Sequence, residues 1–330
     1  RAQGREHRLS VARHATVGAA LRKAGLAIRD GRLLAAVDHR VIDPHLHRGR
    51  FLVGGRPASP ARVLMPHDRI TLVDGQDALE ATRQQVVAVP PPALPTVMYH
   101  VQQAGSPGRT REVVGVRSHE VVSREVLVKP VPPHQVRGKV VALTFDDGPS
   151  PTWTPAILAI LAAKHVPATF CEIGTEVNAH RDLSRAVASA GHQLCNHTLS
   201  HDEHLDREDR AAIRAQINGG RMAFAAGGLP APRYYRPPGG AMSAAVAATA
   251  RSYQEQVVYW KVDTEDWKHG ATPESIMAKV QAQVDNGAII LMHDGGGDRS
   301  ATVAALGPVI DQLRVAGYTF VFPIMAATAH

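Results

Sequence analysis

Two histidines four residues apart, His197 and His201, are spaced to bring both imidazoles onto one face of a helical turn, the arrangement of a bidentate metal claw. In a chain with 18 histidines such a pair is a weak signal by itself. Its neighbours strengthen it. Upstream lie Asp146 and Asp147, adjacent carboxylates at the end of an apolar run, where a predicted strand gives way to Gly148-Pro149. Two imidazoles and one carboxylate are a common ligand set for zinc, and the second carboxylate is then left for acid–base work. Further polar groups follow later strands: Arg236, Asp263, Asp266 and the pair His293-Asp294. Each alone has an ordinary explanation, since an Asp before Gly-Pro is usually a turn former. Their joint position after strand ends points to one site.

Such a site needs a fold that delivers strand ends to a common rim. From residue 139 the chain alternates strand, loop and helix. Strands are predicted over 140–145, 168–173, 193–196, 257–262, 288–292 and 319–322, with an extended segment over 233–236. Between them, a helix starts at Thr154-Pro155 with apolar Ile157, Leu158 and Leu161, and others are predicted over 182–190, 207–224, 243–250, 273–284 and 302–316. This rhythm predicts an α/β fold with a parallel sheet, a distorted (β/α) barrel of about seven strands. Chemistry in that architecture sits at the C-terminal ends of the strands.

The 330 residues are 44% hydrophobic, enough for a sizeable core in two or three domains. No apolar run reaches the roughly 18 residues of a membrane span. The chain opens at Arg1 in a polar, basic stretch without the pattern of a signal peptide, so an exported protein would have lost its signal. Charge is uneven: residues 1–138 carry 21 basic and 11 acidic side chains, residues 139–330 carry 16 and 19. A basic front half suits a polyanion such as teichoic acid, an anionic membrane surface or nucleic acid, or is simply a solvated face. The two cysteines, Cys171 and Cys195, exclude a four-cysteine zinc site. They fall on consecutive predicted parallel strands, so a disulfide is expected, with two buried thiols as the alternative.

Ahead of residue 139 we read two regions. Residues 1–80 hold a predicted strand over 7–12, a helix over 16–25 with Thr16 as cap and Gly25 as stop, and strands over 50–56 and 68–73. They resemble the ubiquitin-like β-grasp modules placed ahead of enzymes in bacterial cell-wall proteins. A likeness to the small S4-type RNA-binding module is countered by the absence of aromatic residues among its arginines, which argues against nucleic acid. Residues 81–138 combine a stiff proline-rich spacer, Pro90-Pro91-Pro92-Ala93-Leu94-Pro95, with β segments over 111–116 and 121–128. These resemble part of a small all-β module of surface-exposed, wall-binding bacterial proteins, which implies an extracellular or wall-associated location.

The region 139–323 resembles the polysaccharide deacetylases of carbohydrate esterase family four, the nodulation-factor deacetylase homology domain. Five ordered motifs carry the likeness: Thr144-Phe145-Asp146-Asp147, His197-Thr198-Leu199-Ser200-His201, Arg236-Pro237-Pro238-Gly239-Gly240, Asp263-Thr264-Glu265-Asp266-Trp267 and Leu291-Met292-His293-Asp294. The resemblance implies Zn²⁺, or another divalent ion such as Co²⁺, held by Asp147, His197 and His201. It implies Asp146 as general base, Arg236 as its partner, His293 as general acid and Asp266 as the group orienting it. A backbone N–H at Gly239 would bind the oxyanion, and Trp267, Leu291 and Trp260 would wall the acetyl pocket. The expected partner is a glycan, peptidoglycan first, with chitin-like oligosaccharide or acetylated xylan as alternatives and a non-catalytic wall-binding protein as the remote one. Gly239 stands where the family usually has an aromatic residue, which removes a wall from the substrate groove. His204 is a further candidate ligand by spacing.

Overall fold

Seven consecutive residues, Val140-Val141-Ala142-Leu143-Thr144-Phe145-Asp146, are all buried in a computed structural model that describes Glu6 and residues 8–327. Burial on both faces is what a central parallel strand requires, and it explains the unbroken apolar run. The chain divides into two compact units. One comprises the residues as far as Val89 together with Gly108–Lys129; the other comprises Pro90–Pro107 and the chain from Pro130 onward.

The second unit is built on a parallel sheet. Its strands are β1 (Val97–Met98), β2 (Val140–Asp146), β3 (Ala168–Glu172), β4 (Gln193–Asn196), β5 (Tyr234–Tyr235), β6 (Gln256–Val258), β7 (Val262–Asp263), β8 (Ile289–His293) and β9 (Thr319–Phe320). They run in the order β7-β8-β2-β3-β4-β5-β6-β1, with β9 beside β2. Residues 259–261 alone separate β6 from β7, yet these two strands lie near opposite ends of the row. So short a connection spans at most about 14 Å. The sheet must therefore curl on itself, and it forms an incomplete, distorted barrel. Part of the seam is bridged by the chain at Met98 and Tyr99. The Met98 carbonyl accepts from Tyr259 N at 2.8 Å, and the Tyr99 carbonyl from Ile289 N at 3.4 Å.

Helices α1 (Thr154–Lys164), α2 (Gly174–Ala179), α3 (Arg181–Ser189), α4 (Arg210–Ala226), α5 (Ala244–Ser252), α6 (Pro273–Gln283) and α7 (Ser300–Val315) follow the strands. Their starts are written in the sequence. Asp209 caps α4 by accepting from Ala211 and Ala212 N, and Thr272 with Ser275 forms a capping box ahead of Pro273 on α6. Side chains at Val141, Leu143 and Phe145 pack with Ile157 and Leu161 of α1 in the main core. Residues Val140 and Ala142, on the other face of the same strand, meet Cys171, Cys195, Tyr234, Val258 and Ile289 inside the barrel. Truncating a fully buried Leu161 to Ala would cost about 2–5 kcal/mol. Cys171 and Cys195 face each other across β3 and β4 and are joined in a disulfide.

In the first unit, a helix Val17–Lys23 starts at Thr16, whose hydroxyl accepts from Ala19 N, and lays Val17 and Leu21 against Val53, Phe51 and Leu72. Those residues belong to an antiparallel sheet of Arg50–Val53, Arg56–Ala58 and Ile70–Val73. A second sheet joins Gly31–Leu34, Val41–His47 and Ala78–Leu79, and a third joins Thr82–Val89, Gly108–Gly115 and Val121–Val128. Among the described residues Gly31–Leu34 pairs with Val41–His47 and not with the sheet under the helix. Of the strand predicted over 7–12, His7 lies outside the described residues, and 8–12 are irregular.

Candidate metal and catalytic centre

Strand alternation aims the chemistry inward. On β2, Ala142 faces the barrel interior, so period two turns Thr144 and Asp146 the same way. Likewise Cys195 and Tyr234 face inward on β4 and β5, which brings His197 and Arg236, two residues beyond each, to the same interior at the strands' C-terminal ends. On β8 the inward Ile289 sets Leu291 and His293 in line, and His293 is the register partner of Asp146.

Asp147 breaks that alternation. Its φ of 73° lies in the left-handed region, which an Asp tolerates better than most residues, and the turn swings its carboxylate toward the histidines. Close approach is possible because Gly295 and Gly296 lie opposite. A Cβ at Gly296 would come 2.5 Å from Asp147 Oδ2, and one at Gly295 would come 2.0 Å from the Asp147 carbonyl oxygen. Nothing in the sequence reading singled out these glycines.

The His197–His201 segment is not a helix, contrary to the expectation from its spacing. Asn196 Oδ1 accepts from Thr198 N at 3.1 Å and Thr198 Oγ1 accepts from His201 N at 3.0 Å, and both Thr198 and His201 have positive φ. These side-chain bonds favour a tight turn over a helix. The imidazoles nonetheless converge, with ring centroids 5.0 Å apart. His197 Nδ1 lies 2.7 Å from the Arg236 carbonyl oxygen, which can only accept, so Nδ1 carries a proton and Nε2 faces the interior.

Ligand atoms of Asp147, His197 and His201 all lie within 4.8 Å of one another. Asp147 Oδ1 is buried without a well-aligned hydrogen bond, and the two Nε2 atoms face it at 3.4 and 3.0 Å. Burial opposes the charged carboxylate, but the two imidazoles outweigh it and hold Asp147 well below the usual carboxylate range. The facing carboxylate raises His201 despite its burial. A carboxylate oxygen without a well-aligned donor, faced by two imidazole nitrogens, is a donor set that could hold a divalent cation. His204 is exposed and is not part of this trio.

Asp146 is bound differently. Its Oδ1 accepts from Arg236 Nη1 at 2.7 Å, and the guanidinium is fully buried. The same Nη1 donates to Thr144 Oγ1 at 2.8 Å, while Nε and Nη2 donate to the carbonyls of Val258 and Tyr259 at 3.0 Å each. An arginine so fully hydrogen-bonded is a rigid counter-ion. On the other side, His293 Nδ1 lies 2.7 Å from Asp266 Oδ1, and Asp266 Oδ2 accepts from His293 N at 2.9 Å and Thr302 Oγ1 at 2.8 Å. Burial lowers the His293 pKa, but the Asp266 carboxylate more than restores it and raises the imidazole above its ordinary value. Behind it, burial pushes Asp294 up to about 7 although Thr154 donates to it.

The remaining candidates are spread around this centre. Leu291 is buried on β8, and Trp260 carries the Arg236 guanidinium 5.6 Å from its ring centroid. Gly239 has φ 57° in a single turn, Pro238–Gly240, and is exposed. Trp267 is half exposed beneath the Lys268 ammonium, and Asp263 turns back to accept from Glu265 N.

A sequence profile described as polysaccharide deacetylase matches residues 134–258, stopping before Asp266 and His293. The peptidoglycan-N-acetylglucosamine deacetylase of Bacillus cereus is 38% identical over 185 residues, which are 56% of this chain and 85% of the relative. A chitooligosaccharide deacetylase of Bradyrhizobium is also 38% identical, over 50% of this chain and 76% of its own length. Among solved structures, the family 4 carbohydrate esterase of Streptomyces lividans in complex with acetate superimposes with a TM-score of 0.53 at 30% identity, covering 58% of this chain and 99% of that one.

Proposed function

Given that this chain belongs to the polysaccharide deacetylases of carbohydrate esterase family four, we propose that it is a metal-dependent N-deacetylase acting on the N-acetylglucosamine residues of peptidoglycan. The observation that carries this reading is the convergence of Asp147, His197 and His201 beside the buried Asp146–Arg236 pair. The similarity to a peptidoglycan deacetylase supports the choice of glycan, and the similarity to a chitooligosaccharide deacetylase makes a chitin-like chain the alternative.

Asp147, His197 and His201 would hold the ion. Their mixed nitrogen and oxygen donors favour zinc, with cobalt able to substitute, and such an ion supplies Lewis acidity and lowers the pKa of a water toward roughly 7. Asp146, fixed in direction by Arg236, takes a proton as water adds to the acetamide carbonyl. The main-chain N–H of Gly239 donates to the oxyanion that forms. His293 then gives its proton to the departing nitrogen as the carbon–nitrogen bond breaks, and Asp266 keeps that imidazole protonated and aimed. Acetate and a free amine result. Trp260, Leu291 and Trp267 wall the acetyl methyl. The same groups would serve an acetylxylan ester, whose alcohol leaves more readily and depends less on His293. A glycan-binding protein without turnover is disfavoured by the presence of Asp146.

The first unit we assign to attachment at an extracellular wall, where its own excess of basic over acidic residues suits an anionic polymer. No helix among the described residues is long and apolar enough to cross a membrane. The test is direct. Zinc-loaded protein is incubated with peptidoglycan, chitohexaose and acetylxylan, and released acetate is measured. Release from peptidoglycan above the other two supports the proposal, and no acetate from any of them, with zinc bound, overturns it.

A further inference from the structure

Next to the catalytic centre the third motif ends in Gly239 and Gly240, which carry no side chain and both sit in the left-handed region. Aromatic rings from another part of the barrel line that loop. A Cβ at Gly240 would meet Trp260 Cη2 and Tyr259 Cε1, each at 3.5 Å, and the Tyr259 hydroxyl donates to the Gly240 carbonyl at 2.6 Å. Tyr259 stacks on Trp260 with ring centroids 5.4 Å apart and planes 13° apart. Tyr99 lies beside Tyr259, at 5.2 Å between centroids and with its plane tilted by 55°, and 49% of it is exposed. Starting from the Arg236 guanidinium that holds Asp146, three rings follow one another, each a little over 5 Å from the last, and of the three only Tyr99 is exposed.

Tyr99 comes from the segment preceding the five motifs, and its backbone is fixed. Met98 pairs with Val258 on β6, and the Tyr99 carbonyl accepts from Ile289 N. A tyrosine whose main chain is anchored while half its side chain is bare gains nothing in core packing from that exposed half. A flat ring with a hydroxyl at its edge suits the face of a pyranose, which presents apolar C–H groups over the ring and hydroxyls at its rim.

We propose that Trp260, Tyr259 and Tyr99 form an aromatic stripe along which the glycan lies, and that Tyr99 is its outermost platform and a determinant of chain-length preference. This rests on the reading of the site as a glycan deacetylase. A sugar stacked on the outer face of Tyr99 belongs to a residue several units away from the one being deacetylated. Long chains reach it and short ones do not.

The experiment compares kcat/KM on chitohexaose with that on chitobiose, using full-length, zinc-loaded protein. The ratio should fall about two- to tenfold in Tyr99→Ala, the range expected for loss of one aromatic contact. It should stay at the starting value in Met222→Ala, a change at an exposed residue on α4 outside the site. Tyr99→Trp keeps a flat face, covers the case in which the alanine variant does not fold, and should retain the ratio. An unchanged ratio in Tyr99→Ala, or a tryptophan variant as impaired as the alanine one, overturns the proposal. If the unaltered protein releases no acetate, the deacetylase reading fails and calorimetric titration with chitohexaose judges the stripe. Tighter binding by the unaltered protein than by Tyr99→Ala supports it, and equal or undetectable binding overturns it.

Discussion

Glu80, buried in the first unit, and Asp147, largely buried in the second, are both carboxylates held charged, and what surrounds each separates a structural acid from a candidate ligand. Glu80 accepts from the main-chain N–H of Ala36 at 3.0 Å, of Arg117 at 2.7 Å and of Ser118 at 2.9 Å, and from the Ser118 hydroxyl. Burial pushes it up, but these donors prevail and hold it down at about 2. Every lone pair has a use, and Gly115 is needed because a Cβ there would come 2.3 Å from Glu80 Oε1. Asp147 is also held down, yet by two imidazoles that face it without a well-aligned hydrogen bond. The satisfied carboxylate knits three stretches of chain together. The unsatisfied one is placed where it could hold a cation with His197 and His201.

The largest effects should come from breaking the second arrangement. His197→Ala removes one of three converging ligands, and both zinc content and acetate release should fall to background. Asp146→Asn should lower turnover by about 10²–10⁴-fold while metal analysis still finds zinc, because the proton acceptor is lost and the trio is not. If the asparagine variant keeps turnover within a factor of ten, Asp146 is not the base. Arg236→Leu should destabilise the fold by about 3–5 kcal/mol in denaturant unfolding, since it leaves the Asp146 carboxylate buried without its partner.

How much of this contrast is legible in the sequence follows from the range of the interactions. Strands β2 and β8 are readable because a parallel strand buried on both faces is a mostly apolar run. Strand β1 is not readable: Val97–Met98 has two residues, sits after a run of prolines, and exists only because Val257 and Val258 pair with it. The predicted strand over 257–262 splits into β6 and β7 because its two halves hydrogen-bond to opposite neighbours, β5 on one side and β8 on the other. At the centre, residue types and their position after strand ends were visible. Orientation was not, since it comes from partners distant in sequence: the Arg236 carbonyl on His197, Thr302 on Asp266, and Gly295 with Gly296 against Asp147. The spacing of His197 and His201 suggested a helix because it carries no information about Asn196 and Thr198, whose side chains bend the segment into a turn.

Smaller effects sharpen the comparison. Asp266 raises the His293 pKa, so the imidazolium persists to higher pH than an ordinary histidine and the alkaline fall of kcat should lie above that of a free imidazole. Asp266→Asn removes that support and should move the fall to lower pH. His293→Gln should slow release from an acetamide more than from an acetate ester, because an amine needs the proton more than an alcohol does. Equal slowing of the two would remove His293 from the role of acid.

The smallest effect belongs to Glu80. Its folded pKa of about 2 lies below the ordinary 4.5, so the unfolded chain binds the proton more readily than the folded one. Its contribution to stability is therefore complete above about pH 4.5 and fades as pH falls toward about 2. Glu80→Gln replaces the charge with an amide whose NH₂ must face N–H donors. It should lower the melting temperature at neutral pH and flatten its dependence on pH in the acid range, while acetate release stays unchanged. A Glu80→Gln variant that melts like the parent at pH 7 would show that this carboxylate does not hold its turn, and the distinction between the two buried acids would lose its structural half.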